Sequence, residues 1–166
     1  PRPAPLPVDS LAHALLLASD VVASVIGGRN LPDALAAHGR EPAPVRAAVQ
    51  DLAYGALRRF GQGDALLARL ISRPLAQVEP RALLLCALYR LETRPEAVHT
   101  VVDQAVEAAG RVAGGAFRGL VNGVLRNFLR RREALLAEIA GDDEARYWHP
   151  AWWLSRLRAA YPDAWE

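Results

Sequence analysis

The sequence predicts an all-α protein: a compact bundle of about seven helices followed by a short C-terminal linker helix. Three observations predict it. Alanine and leucine dominate a chain that is 52% hydrophobic, while β-branched and aromatic residues are sparse, a mix that favours helices. Apolar residues recur at steps of three and four through most of the chain. No segment alternates apolar and polar residues, as a half-buried strand would, for more than a few positions.

The elements follow in order. Residues 1–8, rich in proline, read as a flexible N-terminal arm. Asp9 or Ser10 is a good cap for a first helix, whose apolar face carries Leu11, Leu15, Ala18, Val22 and Val25 until Gly27-Gly28 stops it. A short helix from Leu31 to His38 ends at Gly39. Pro42 and Pro44 open a third, with Val45, Val49, Leu52, Ala56 and Phe60 on its buried face, and Gly61 and Gly63 are expected to break it. Asp64 to Ile71 forms a fourth. The fifth, Glu79 to Glu92, shows an apolar stripe of Leu84, Leu88 and Leu91. His99 or Thr100 starts the sixth, and Gly114-Gly115 separates it from a long seventh helix, Phe117 to about Ile139. There Phe117, Leu120, Val121, Val124, Leu125 and Phe128 form the apolar band. The bundle spans 9–140. Residues 141–166 read as a linker, with Gly141 to Glu144 polar and His149-Pro150 opening a last, tryptophan-rich helix.

Composition excludes several classes. So high a hydrophobic content is not that of a disordered tail. The longest apolar runs, Ala14–Ala18 and Ala82–Leu88, fall far short of the ~18 residues that span a bilayer. Pro1 to Pro7 lack the basic-then-apolar order of a signal peptide. A single cysteine, Cys86, rules out an internal disulfide framework and fits a reducing cytoplasm. Net charge is only +2, yet all 20 basic residues are arginine. A GC-rich genome accounts for that usage, but guanidinium forks bind phosphate bidentately whatever their origin.

The local distribution of charge is more telling. Arg118, Asn122, Arg126 and Arg130 are spaced by four along the seventh helix, opposite its apolar band, and so form one slowly winding polar stripe. Arg131 and Arg132 widen it. From Arg118 to Arg132 there are five arginines and no acid. A nucleic-acid backbone suits such a stripe. A solvated helix face, its arginines complementing the helix dipole, fits the same spacing. Arg58 and Arg59 on the third helix either extend the patch or are ordinary surface charges. Gly55 and Gly123 sit inside strong helical patterns, where glycine costs about 1 kcal/mol, so both are expected where helices approach closely. Asn122, beside Gly123, is expected to hydrogen-bond a neighbouring helix end or to touch RNA.

No catalytic constellation emerges. Cys86 is flanked by leucines and reads as a core thiol. His13, His38, His99 and His149 match no metal-ligand spacing. Gly61-Gln62-Gly63 and Gly114 to Gly119 lack the preceding strand that a phosphate loop needs. Trp148, Trp152 and Trp153 fall within six residues, and such a segment is expected to fold back or to dock onto something else, with base stacking a further option.

Tyr54-Gly55-Ala56-Leu57-Arg58, His99 to Gly110 (HTVVDQAVEAAG) and Leu120 to Leu129 (LVNGVLRNFL) resemble the NusB fold in order and spacing. The stretch Ala145 to Trp165 resembles the linker of the RsmB (Sun, Fmu) 16S rRNA cytosine-C5 methyltransferases. The resemblance implies an RNA-binding domain that positions 16S rRNA for a methyltransferase domain of the same protein, which is expected beyond Glu166. It implies S-adenosylmethionine as the cofactor of that domain, with none for these residues. The paired cysteines of the family cannot be placed here, and Cys86 matches neither. Two other readings stay open: a NusB-type transcription antitermination factor, and a purely structural or dimerisation bundle. The RNA-binding candidates are Arg118, Asn122, Arg126, Arg130, Arg131 and Arg58.

Overall fold

The computed structural model describes residues 4–165, and among them the secondary structure is helical throughout. The helices are α1 (Leu11–Ile26), α2 (Leu31–Ala36), α3 (Ala43–Arg58), α4 (Phe60–Leu70), α5 (Val78–Thr93), α6 (Val98–Ala109), α7 (Arg118–Ile139), α8 (Asp143–Tyr147) and α9 (Ala151–Ala160). Short 3-10 turns at Pro95–Ala97 and Ala113–Gly115 lead into α6 and α7. No helix among the described residues is long and apolar enough to cross a membrane.

The hub is α5. Every residue from Ala82 to Leu88 is buried, as is Leu91, so this helix is apolar all round rather than along the expected stripe of three leucines. It packs against α1, α3, α4, α6 and α7, and its neighbours close a single core around it. α1 enters that core through Leu15, Ala18, Val21 and Val22, its start fixed by Ser10, whose side chain accepts from the His13 amide at 3.1 Å. α7 contributes Val121, Val124, Leu125 and Phe128 to the same core and then Leu135 and Ile139. Its 22 residues reach about 33 Å, so the first half lies on α6 and the rest runs out over α4.

Gly61 and Gly63 do not break a helix. The interruption is one residue, Arg59, and both glycines lie in the opening turns of α4. Their small size serves packing instead. A Cβ on Gly63 would lie 2.7 Å from Leu85 Cδ2, and one on Gly61 would overlap the Glu144 carbonyl. The second contact lets α8 sit on α4, so the polar residues expected to form an open linker begin a helix. Asp142 caps it by accepting from the Glu144 and Ala145 amides, and Ala145 is buried.

The glycine expectation holds at Gly55, where a Cβ would overlap the Tyr89 ring, and fails at Gly123, which is exposed with open space beside it. Of the expected arm, residues 1–3 lie outside the described residues. Leu6 is buried in the core and Arg111 donates to the Ala4 carbonyl, so the remainder is tied down.

Candidate nucleic-acid interface

The Arg118–Arg130 stripe runs along the solvent side of α7. Arg118, Arg126 and Arg130 are exposed and Asn122 is half-buried. Arg118 lies over the corner where α6 ends. Its Cδ passes close to Gly110 and Gly115, within ordinary van der Waals reach of where a Cβ on either would stand. Asn122 bonds no neighbouring helix end. Its Oδ1 accepts from Arg126 Nε at 2.8 Å, one turn on, which aims the two terminal nitrogens of Arg126 outward. Among the described residues, no acid lies within ion-pairing distance of Arg118, Arg126 or Arg130.

The neighbouring arginines differ. Arg131 pairs with Glu138 at 3.4 Å, and Glu138 also lies 3.7 Å from Arg69. Arg132 is half-buried and acts on Glu92 of α5. Burial pushes the Glu92 carboxyl above the ordinary carboxylate range, against the opposing pull of Arg59, Arg132 and a 3.1 Å hydrogen bond from Gln62. Arg132 therefore serves the interior more than the stripe.

Arg58 belongs to a different place. It lines a groove of about 620 Å³ with Tyr54, Gly55, Arg59, Tyr89 and Trp148, and none of the α7 arginines takes part in it. The sequence marked Arg58 and Arg59 as a pair of surface charges. It gave no sign that Trp148, ninety residues on, would close over Arg59, because that contact depends on the backbone fit of α8 against Gly61. Gly55 was the one usable clue.

The remaining chemistry is spare. Cys86 is buried, and desolvation pushes its thiol up to about 12, so it carries no thiolate at neutral pH. Among the described residues no group of three or more His, Cys, Asp or Glu could hold a metal ion. The glycine-rich stretches sit in α4 and in the 3-10 turn before α7, and neither follows a strand as a phosphate-binding loop does.

The fold has its counterpart in known proteins. The model of the NusB family matches residues 13–130. The chain belongs to the NusB family. The matched span starts in α1 and ends at Arg130, so it takes in most of the core and the positions from Arg118 to Arg130 but neither α8 nor α9. Relatives of this NusB-family chain carry the name ribosomal RNA small subunit methyltransferase B. The protein of that name from Escherichia coli O6:H1 is 39% identical over 123 residues, and that from Escherichia fergusonii is 40% identical over 123 residues. In both cases the match covers 73% of this chain and 28% of the relative. The chain thus spans little more than a quarter of the length of these relatives.

Proposed function

We propose that this chain is the RNA-binding module of a ribosomal RNA cytosine-C5 methyltransferase, and that it holds 16S rRNA by its backbone while a separate domain performs the methyl transfer. The observation that carries the reading is the row of guanidiniums at Arg118, Arg126 and Arg130 along one exposed helix face, with no acid in ion-pairing distance of any of them among the described residues. Arginines that stabilise a fold are normally matched with acids, as Arg131 is with Glu138. Three left without an acidic partner at four-residue and eight-residue intervals suit a phosphate backbone, which offers repeated charge and accepts bidentate bonds. Asn122 orients the central one. Arg131 lies at the end of the stripe but is paired with Glu138, and Arg58 lies apart in the groove beside Tyr54, so both are secondary to it.

The family resemblance, and the names of the relatives, support rRNA as the nucleic acid and S-adenosylmethionine as the methyl donor of the whole protein. The tail supports a partner domain in the same protein. α9 leaves Trp152 and Tyr161 each 61% exposed and Trp153 38% exposed, an aromatic surface suited to an interdomain contact. On this reading the bundle occupies 9–140, residues 141–166 lead to the catalytic domain, and the protein works in the cytoplasm.

The test is binding of 16S rRNA fragments at low and moderate salt, with Arg126→Glu and Arg130→Glu combined as the probe. Binding that is strong at low salt and abolished by the charge reversal supports the proposal. No binding at low salt, or binding indifferent to the reversal, sinks it. The intact mass in the native cells addresses the catalytic context: a mass more than twice the 18.0 kDa of this chain fits a following domain, and a mass near that value favours an antitermination-type factor.

A further inference from the structure

The groove between α3, α5 and the end of α8 is separate from the α7 stripe and unused by it. Its composition is unusual for a protein surface. Tyr54 stands 44% exposed on one side and Trp148 39% exposed on the other. The Arg59 guanidinium lies 5.0 Å from the Trp148 ring centre and 5.7 Å from that of Tyr89. Arg59 is held there by Glu92 at 3.5 Å. Arg58 is exposed at the rim and has no acid within ion-pairing distance among the described residues.

The aromatic walls are built in. Trp148 has a left-handed backbone, φ 59° and ψ 23°, which ends α8 and fixes where its ring projects. Gly55 removes the side chain that would otherwise collide with Tyr89, and the Tyr89 hydroxyl donates to Asp51 Oδ1 at 3.1 Å. Asp51 is about half exposed and lines the same groove; its Oδ2 lies 3.5 Å from Arg90, and each oxygen keeps a lone pair for a further donor. The site therefore combines flat π faces, a planar cation, a phosphate-binding guanidinium and a hydrogen-bond acceptor. Its volume of about 620 Å³ falls in the ~300–1,000 Å³ range of small-ligand clefts. A purely apolar protein contact would leave the Arg58 guanidinium unmatched.

We infer that this groove seats an unpaired RNA base, stacked on Trp148 and Arg59, with Arg58 on the adjoining phosphate and Asp51 facing the base edge. The inference rests on the RNA-binding reading above and gives it a second contact of a different kind. Stacking tolerates any base but needs the base free of a duplex, so the groove selects single-stranded segments where the α7 stripe does not.

The experiment compares a fluorescein-labelled single-stranded RNA of mixed sequence with the same RNA annealed to its complement, by anisotropy, on the whole chain. Trp148→Ala is expected to weaken single-strand binding by about 5- to 100-fold and to leave the duplex affinity and the salt dependence unchanged. Arg59→Lys, which keeps the charge and loses the planar fork, is expected to shift binding the same way by a smaller factor. Trp148→Phe preserves an aromatic face and should restore most of the affinity, which separates stacking from misfolding. Single-strand binding equal to that of the unaltered chain in both Trp148→Ala and Arg59→Lys overturns the groove while leaving the stripe intact. Equal losses on single strand and duplex overturn it as well. Failure of the unaltered chain to bind either RNA overturns the groove and the RNA reading together.

Discussion

Gly61 and Gly63 lie two residues apart in one helix and should respond to alanine differently, one by global destabilisation and the other by local opening. At Gly63 the added Cβ would sit 2.7 Å from Leu85 Cδ2, well inside the ~3.5–4.0 Å of a relaxed carbon contact. Leu85 is 2% exposed and belongs to α5, so neither partner has room to move. Overpacking of that kind costs about 1–3 kcal/mol, and the gain in helix propensity returns at most about 1. Gly63→Ala is thus expected to be destabilising by up to about 3 kcal/mol, with about 1–2 as the middle of the range, which lowers Tm by roughly 2–8 °C in a chain of this size. At Gly61 the obstacle is the backbone carbonyl of Glu144, which cannot rotate aside. α8 gives the core only Ala145, so the helix can lift away at little cost to the bundle. Gly61→Ala should leave Tm within about 2 °C of its starting value. It should also speed tryptic cleavage after the exposed Arg146, because local opening sets that rate. Circular dichroism melts and timed proteolysis read both effects. The reasoning fails if Gly61→Ala lowers Tm as far as Gly63→Ala, or if cleavage after Arg146 keeps its original rate.

Two further predictions concern buried ionisable groups. Cys86 should resist iodoacetamide at neutral pH, labelling in step with global unfolding across a urea titration, since its thiol is buried and pushed up to about 12. Rapid labelling in water would contradict the core placement. Because its pKa is raised in the folded state, the stability it contributes is present below its ordinary value of 9.0 and is lost as pH climbs toward about 12. For Glu92 the pKa is also raised, with burial as the main cause, so the folded state holds the proton more tightly than the unfolded one. The stability tied to that proton is complete below the ordinary value of 4.5 and falls as pH rises through the folded value. Glu92→Gln should therefore gain in Tm relative to the unaltered chain as pH goes from mildly acidic to neutral. A difference that shrinks over that range would refute the assignment.

The parts of the architecture set by local chemistry could be read from residues alone. Helix starts at Ser10 and near Pro42 and the stop at Gly27-Gly28 came from capping and breaker residues acting within a turn. The apolar band of α7 followed from its period. What escaped was set by distant neighbours. Gly61 and Gly63 look like breakers in isolation, and only the surfaces of α8 and α5 make them packing positions. A stripe of three leucines is too narrow for α5 because Leu83, Leu85 and Cys86 on its other sides are also covered, by helices far off in sequence. The α7 stripe was legible as spacing, but the distinction between unpaired Arg126 and Arg130 and the paired Arg131 depends on where Glu138 falls. Nothing local announced the groove at Arg59, since Trp148 arrives from the far end of the chain.

The most direct measurement is the slope of log affinity against log salt for an rRNA fragment, taken for the unaltered chain and for Arg126→Ala combined with Arg130→Ala. Each phosphate contact contributes roughly 0.7–0.9 to that slope. If both arginines grip the backbone, the double substitution should lower its magnitude by about 1.4–1.8 and weaken binding across sequences alike. An unchanged slope would place the RNA on another surface and contradict the role assigned to α7.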